Sequence, residues 1–479
     1  MRLFNTLTRR EEEFTPAQGK TVRMYTCGLT VYARGHIGNF RTFVALDVLR
    51  RALEVNGYTV RQVRNYTDVD DRTIVESIKA GQPLREYTQQ FVDAFERDAA
   101  ALGLETVEYA PRATDHIPAM AGMIHALERN GHTYASDGSI YFKISTFPEY
   151  GKLARLDHSG IKSGARVDSD KYDKEDARDF VLWKASKPGE PHWEPGLPAG
   201  RPGWHIECAA MADELLGDLP IDIHGGGVDL IFPHHENEIA QAEGATRRQF
   251  SRYWVHVEHL MIEEEEKTGK MSKSLGNVYN LEDVIAQGFR PSALRYLYLG
   301  THYRKQLKFS WTLLAQAEEA LKRITDFLAR LNAVPAGAAH AATLRPGSGQ
   351  VATRLQEASS AFADCIRADL NTAAALGIVF DLVRALNATI DAGDLHAGDV
   401  PAVRAAFDGF DRVFGILALR RDEDERPPVP VEEIDQLIQA RRAARAGRDF
   451  AEADRIRKDL EARGILLEDM AAGTRWKRK

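Results

Sequence analysis

Short apolar runs that alternate with helix-patterned stretches, begun twice and broken once, constrain this chain more than any other feature. Thr21 to Tyr25 reads as a buried strand ending at Cys27-Gly28. Phe40 to Asn56 then carries apolar residues at helical spacing, with Gly57 as its stop. The next apolar run, Thr59 to Val63, leads into Thr67-Asp68-Val69-Asp70-Asp71 and another helical pattern. A strand, a crossover helix and a second strand put both strands in one parallel sheet. The alternation resumes at Trp204 to Leu216 (helix), Ile221 to His224 (strand) and Pro233 to Glu243 (helix), so the sheet should be completed only after an interruption.

The expected fold class is therefore α/β: a Rossmann-like parallel-sheet domain with an insertion, followed by a helical bundle and a small C-terminal domain. The sheet domain takes residues 1–114 and 201–260, and the insertion, with hairpin-like segments such as Ser139 to Ile144, takes 115–200. A lysine-bearing loop region follows at 261–312. A bundle at 313–420 is interrupted by the Ala/Pro/Gly-rich stretch Ala333 to Gly349, and the acidic, proline-rich Arg421 to Pro430 marks off a last unit at 431–479.

Charge and cysteine content exclude several classes. With 70 Asp and Glu against 63 Lys and Arg, the net charge is −7, so the chain is not a uniformly basic nucleic-acid coat and any RNA contact must be local. The first ten residues are polar, and no later run approaches the roughly 18 apolar residues of a membrane span. A cytoplasmic protein without membrane contact is expected. Three cysteines, Cys27, Cys208 and Cys365, are too few for a disulfide framework and leave metal binding, catalysis or burial as their uses.

Three segments carry chemistry. Tyr25-Thr-Cys-Gly-Leu-Thr-Val-Tyr-Ala-Arg-Gly-His36-Ile-Gly38-Asn39-Phe-Arg41 joins a strand end to a helix start, where backbone N–H groups and the helix dipole attract phosphate. Gly38 permits close backbone approach, and His36 can donate to a phosphate oxygen that gains charge during nucleotidyl transfer. Alone, His36 reads rather as a capped surface histidine. Lys270-Met-Ser-Lys273-Ser274-Leu-Gly276-Asn277 sets two lysines on a hydroxyl- and glycine-bearing loop, suited to neutralising a triphosphate as pyrophosphate departs. Alone, it reads as an exposed basic loop.

The third segment is Gly203-Trp204-His-Ile-Glu-Cys208 with Asp222-Ile-His224-Gly-Gly-Gly-Val-Asp229-Leu-Ile-Phe-Pro-His234-His235-Glu-Asn-Glu238. Pro233 suits the first turn of a helix, which would put His234 and Glu238 on one face. With the thiolates of Cys27 and Cys208 they make a borderline-soft set suited to zinc. His235 is then a neighbour or an outer-shell group.

These stretches together resemble the cysteinyl-tRNA synthetases, whose nucleotide motifs are the signature pair of the class I aminoacyl-tRNA synthetases. The resemblance spans most of the first 300 residues. It implies ATP, with Mg2+, and cysteine as substrates, tRNA(Cys) as acceptor, one zinc ion per chain and a monomer. By it, Cys27, Cys208, His234 and Glu238 hold the zinc. His36, Gly38, Asn39, Lys270 and Lys273 serve ATP activation, while Trp204, His224 and Asp229 line the amino-acid and adenylate pocket. The region 261–312 would contact the tRNA stem, the bundle would bind tRNA, and the last unit would bind the anticodon.

Two departures stand out. Asn39 occupies the place of the signature's second histidine and cannot become cationic near pH 7. Glu263 to Glu266, before the lysine loop, would repel a triphosphate and are expected to face solvent. A zinc ion suits the substrate, because it favours a thiolate over a hydroxyl, a distinction that an apolar pocket makes poorly. Four protein ligands would close a tetrahedral site, so Glu238 is the candidate ligand that shifts.

A ligase that passes activated cysteine to a sugar amine, as in mycothiol synthesis, would share these motifs. It would have no use for Arg441, Arg442, Arg445, Arg448, Arg455, Arg457, Lys458 and Trp476, a set able to hold phosphate and stack a base, although alone the segment, with its acidic residues nearly balancing the basic ones, reads rather as an amphipathic helical pair with solvated arginines. A non-catalytic RNA-binding module would have no use for His36, Lys270 and Lys273.

Overall fold

The computed structural model describes residues 1–156, 179–264, 267–270, 278–334, 348–427, 429–470 and 473–478. A ribbon of β1 (Arg2–Asn5) and β2 (Arg10–Glu13) precedes β3 (Thr21–Thr30), α1 (Ile37–Val55), β4 (Thr59–Thr67), α2 (Asp71–Ala80) and α3 (Leu84–Ala101). Next come α4 (Ile117–Arg129) and the antiparallel sheet of β5 (Thr133–Ser136), β6 (Ser139–Phe142), β7 (Phe180–Ala185) and β8 (Gly200–Pro202). Then α5 (Trp204–Leu216), β9 (Ile221–Gly227), α6 (Glu236–Thr246) and β10 (Ser251–Val257) complete the main sheet.

That sheet is parallel throughout, in the order β10-β9-β3-β4. The chain runs outward from β3 to β4 and, after the antiparallel sheet, outward the other way from β9 to β10. The carboxyl ends of β3 and β9 therefore meet at the topological switch point, where open α/β sheets bind their ligands.

Three elements differ from the sequence expectation, each for a local reason. β3 continues past Cys27, with a register irregularity between Thr26 and Leu29 against β4. Gly28 lies so close to β4 that a Cβ there would fall 1.6 Å from the Asn65 carbonyl oxygen. Gly28→Ala is expected to cost about 3 kcal/mol, as an overpacked core does, read as a lower urea midpoint at unchanged slope. An unchanged midpoint would refute the close fit.

Second, α1 begins at Ile37 rather than Phe40, because His36 caps it: Asn39 N donates to His36 Nδ1 at 3.2 Å, and His36 N donates to Asn39 Oδ1 at 3.0 Å. Third, α6 begins at Glu236, so Pro233 does not open it. Phe232, restricted by the following proline, is extended (φ −139°, ψ 132°), and Ile231–His235 forms a separate wide turn of the π type.

Two apolar cores cover the sheet. One buries Val22, Met24, Leu46, Leu49 and Ile223 together with bundle residues such as Leu321, Phe327, Phe407 and Phe414. The other buries Tyr25, Val63 and Trp254 against Ile124 of α4, Trp183 of β7, Cys208 of α5 and Ile239 of α6. The antiparallel sheet thus shares a core with the helices behind the switch point.

Downstream, β11 (Leu260–Glu264) pairs with β12 (Lys267–Lys270) and β13 (Leu307–Phe309), flanked by α7 (Leu281–Ala286) and α8 (Pro291–Leu299). The bundle comprises α9 (Trp311–Asn332), α10 (Ser348–Arg367), α11 (Thr372–Asp391), α12 (Val400–Phe414) and α13 (Leu417–Glu425). By length and composition α11 could cross a membrane, contrary to the reading that no run approaches a span. It is a core helix, burying Leu376, Val379, Leu382 and Leu386. The acidic stretch also differs from expectation: Glu423 accepts from Ser292 N and Oγ at the start of α8, so α13 continues the bundle where a boundary was expected.

One buried guanidinium joins sheet domain and bundle. Arg295 of α8, 0% exposed, donates to Asp47 Oδ2 of α1 at 2.5 Å, to Leu102 O at 2.9 Å and to Phe414 O at 2.7 Å. The last unit, α14 (Val431–Ala446), α15 (Phe450–Ala462) and the hairpin β14 (Ile465–Met470) and β15 (Gly473–Arg478), has its own small core of Val429, Ile434, Ile456, Leu460 and Ile465.

Candidate metal and nucleotide site

Behind the switch point, four elements bring soft and hard donors together. Cys27 comes from β3, Cys208 from α5, His234 from the turn before α6, and Glu238 from the first turn of α6. One donor atom of each lies within 4.8 Å of the others, and all four side chains are buried. A second set, Cys27, His224, His235 and Glu238, meets the same distance condition. Glu238 links the sets, with Oε1 at 3.0 Å from His234 Nε2 and Oε2 at 2.8 Å from His224 Nε2.

The electrostatics follow from this packing. Burial alone would raise the Glu238 pKa, but His224 and His234 pull it down to about 2. Burial would lower that of His234, yet Glu238 and Cys208 push it up to about 10. Burial raises Cys27, whereas the hydrogen bond from Cys27 and the neighbouring His234 hold Cys208 below the usual thiol range despite its burial. His235 is held neutral, first by burial and then by His224 and His256. A buried carboxylate among thiols and imidazoles is costly unless its charge is balanced, and two sulfurs, a nitrogen and a carboxylate oxygen suit a borderline-soft divalent ion.

Several supporting residues escaped the sequence reading. Asn65 of β4 accepts from Gly28 N at 2.8 Å and lies 3.8 Å from Cys208 Sγ, so one amide spans both cysteine-bearing elements. His256 of β10 sits 2.7 Å from His235 Nδ1, with its other nitrogen 2.8 Å from Thr6 Oγ1. The period of two in Trp254-Val255-His256 was the available signal, since both rings then share the face that meets the histidines. Trp204 stacks on His234, ring centroids 4.3 Å apart. His224 is fully buried against Trp254, whereas Asp229 is exposed beyond the end of β9.

The nucleotide residues gather at the start of α1. His36, Gly38 and Asn39 are half-buried there, and Ile37 N donates to Tyr279 O at 2.9 Å. An isolated bridge joins His36 to Asn280. The segment that follows the lysine loop is therefore fastened to the helix start. Lys270 ends β12; Lys273, Ser274, Gly276 and Asn277 lie outside the described residues. Of the acidic residues before the loop, Glu263 pairs with Lys308 at 2.7 Å, and Glu265 and Glu266 also lie outside the described residues.

Residues 13–319 match the family described as tRNA synthetases class I (C) catalytic domain, 361–418 the DALR domain, and 428–476 the cysteinyl-tRNA ligase anticodon binding domain. The cysteine–tRNA ligase of Solibacter usitatus strain Ellin6076 is 49% identical over 479 residues, covering 100% of both chains. The chain belongs to the cysteine–tRNA ligase family. The ligase of Koribacter versatilis strain Ellin345 is 42% identical over 508 residues, again covering 100% of both. Among solved structures, Mycobacterium tuberculosis methionyl-tRNA synthetase in complex with methionyl-adenylate shares the fold, with a TM-score of 0.59 at 16% identity, over 83% of this chain and 89% of that one. A putative arginyl-tRNA synthetase from Campylobacter jejuni does so with a TM-score of 0.55 at 13% identity, over 85% and 92%.

In this cysteine–tRNA ligase family member, several C-terminal basic residues are committed internally. Arg441 is buried and bidentate to Asp469 at 2.8 Å, Arg445 reaches the same carboxylate, and Arg455 pairs with Glu452. Trp476 packs against the small core. Arg442, Arg448, Arg457 and Lys458 are exposed.

Proposed function

We propose that this chain is a cysteine–tRNA ligase that activates cysteine with ATP and transfers it to the 3′-terminal adenosine of tRNA(Cys). The observation that carries the reading is the placement of the buried Cys27–Cys208–His234–Glu238 group and the His36-capped helix start around one switch point, in a chain whose full-length relatives bear that name. The cysteine carboxylate attacks the α-phosphorus of ATP, pyrophosphate leaves, and a ribose hydroxyl of the tRNA then takes the cysteinyl group with release of AMP. No enzyme nucleophile is used, so positioning and charge stabilisation supply the catalysis.

Cys27, Cys208, His234 and Glu238 would hold one zinc ion per chain; this set has both sulfurs, while His224 and His235 brace it from behind. Bound there, zinc supplies a Lewis acid that prefers a thiolate to a hydroxyl. Trp204, His224 and Asp229 are assigned to the amino-acid and adenylate pocket, and Lys270 and Lys273 to the departing pyrophosphate, with Mg2+ accompanying ATP. We carry the chain as a monomer. The anticodon-binding match at 428–476 speaks for tRNA over a sugar amine as acceptor.

We assign His36 the role of a donor to phosphate. Its Nδ1 accepts the Asn39 N–H, which leaves the neutral ring's proton on Nε2 as the donor to phosphate. Asn39 spends its amide oxygen on the His36 main-chain N–H, which closes the cap, while its own main-chain N–H holds the ring. His36→Ser keeps an N-cap oxygen but is too short to reach phosphate, and should lower kcat for cysteine-dependent ATP–pyrophosphate exchange by about 100- to 1,000-fold with little change in KM for cysteine. Wild-type exchange would remove His36 from the mechanism. The reading as a whole is tested by charging of tRNA(Cys) with cysteine: exchange without charging would leave a different acceptor, and no exchange would end it.

A further inference from the structure

The insertion's function is not legible in its sequence, but its chain reaches the helix that carries Glu238. Just past the antiparallel hairpin, Gly151 N donates to Glu236 Oε1 at 2.8 Å, and Leu153 N and Ala154 N donate to Glu236 Oε2 at 3.0 and 2.8 Å. The Tyr150 hydroxyl hydrogen-bonds the Asn237 side chain, and Lys152 pairs with Glu243. Glu236 is 0% exposed, so one buried carboxylate gathers three main-chain donors from a loop more than eighty residues earlier in the chain. Gly151 makes the turn, with a φ of +95°.

The helical repeat gives this clamp its direction. Residues two apart on a helix point about 200° apart, so Glu236 and Glu238 project from opposite faces of α6, while Glu236 and Glu243, seven apart, share one. The loop therefore grips the back of α6, and the front presents Glu238, with His234 in the turn just ahead. Three charge-assisted hydrogen bonds on one carboxylate fix the rotation and the axial position of that helix far better than apolar packing would.

We infer that Glu236 is a positioning residue for the metal group: through Gly151, Leu153 and Ala154 the insertion holds α6 in the register that brings Glu238 and His234 to Cys27 and Cys208. This rests on the metal-binding reading above. It gives the insertion a task in cysteine selection without any contact with the amino acid. Glu236→Gln is the informative change, because an amide in this place must turn an NH2 group toward backbone donors.

The test uses the full-length protein loaded with Zn2+, and in parallel with Co2+ as a spectroscopic probe. Zinc release to a chromogenic chelator should be about 10- to 100-fold faster for E236Q than for wild type, the range seen when groups that orient metal ligands are removed. The visible cobalt bands should shift, and KM for cysteine should rise with KM for ATP unchanged. Tyr150→Phe removes one hydroxyl from the same clamp without touching α6, and should show a smaller acceleration in the same direction; it decides the matter should E236Q not fold. Release rates and cobalt spectra equal to wild type in the folded variants would overturn the positioning role while leaving the metal reading intact. A wild-type chain that takes up neither ion would overturn both.

Discussion

Cysteine-dependent ATP–pyrophosphate exchange is expected to fall by two to four powers of ten in Cys208→Ala, and in wild-type protein stripped by a chelator. Cys208 is 1% exposed and shares its small volume with Cys27, His234 and Glu238. Taking away one member leaves Glu238 and His234 as buried charge without a full set of partners, a situation that costs about 3–5 kcal/mol. A loss of that size in transition-state stabilisation is roughly 150- to 5,000-fold in rate. The measurement is exchange with cysteine and with serine, alongside zinc content. The cysteine rate should collapse while the weak serine rate hardly moves, because only the thiol substrate gains from a soft ion. Full cysteine exchange in metal-free protein would sink the assignment of selectivity to this group.

The second large effect is on stability. Arg295→Met should lower the unfolding free energy by about 3 kcal/mol, since it removes one of the two guanidiniums on Asp47 and takes the donor from the Leu102 and Phe414 carbonyl oxygens in a dry junction. Burial by itself would raise the Asp47 pKa; Arg295 and Arg51 outweigh it, so the carboxyl is held below its usual 3.8. Asp47 therefore contributes stability that is present above that value and is lost as pH falls through its lowered pKa. In Arg295→Met the carboxyl becomes easier to protonate, so the loss should begin at higher pH than in wild type. Urea titrations at pH 7 and pH 4 check both statements, and a midpoint within error of wild type at pH 7 would rule out the junction as a keystone.

How much of this was readable beforehand depends on distance along the chain. Cys27, Cys208, His234 and Glu238 stand in short stretches whose residue types already point to a metal, and the distances among them now give that reading a geometry. The βα alternation likewise announces the parallel sheet, since periodicity is local. Asn65 and Glu236 were invisible because their partners come from strands and loops far away in the chain, and His256 showed only in the alternation of its strand. Arg441 and Arg445 looked like a phosphate-binding face, and only the hairpin of β14 and β15 brings up the Asp469 carboxylate that Arg441 and Arg445 share. Pro233 misled for a local reason: it fits a first helical turn, yet it also forces Phe232 to be extended, and the second effect prevailed.

The split sheet also sets a schedule for biosynthesis. β3 and β4 can pair once the ribosome has released Thr67, but β9, the other neighbour of β3, begins only at Ile221. At typical elongation rates the intervening residues take roughly 8–30 s to make. Throughout that interval the flank of β3 around Met24, Tyr25 and Thr26 is an open hydrogen-bonding edge, with the Cys27 thiol beside it not yet covered by α5 and α6. The nascent chain is therefore most exposed to mispairing and oxidation while its insertion is being translated, and shielding by a chaperone would matter then more than at any later stage.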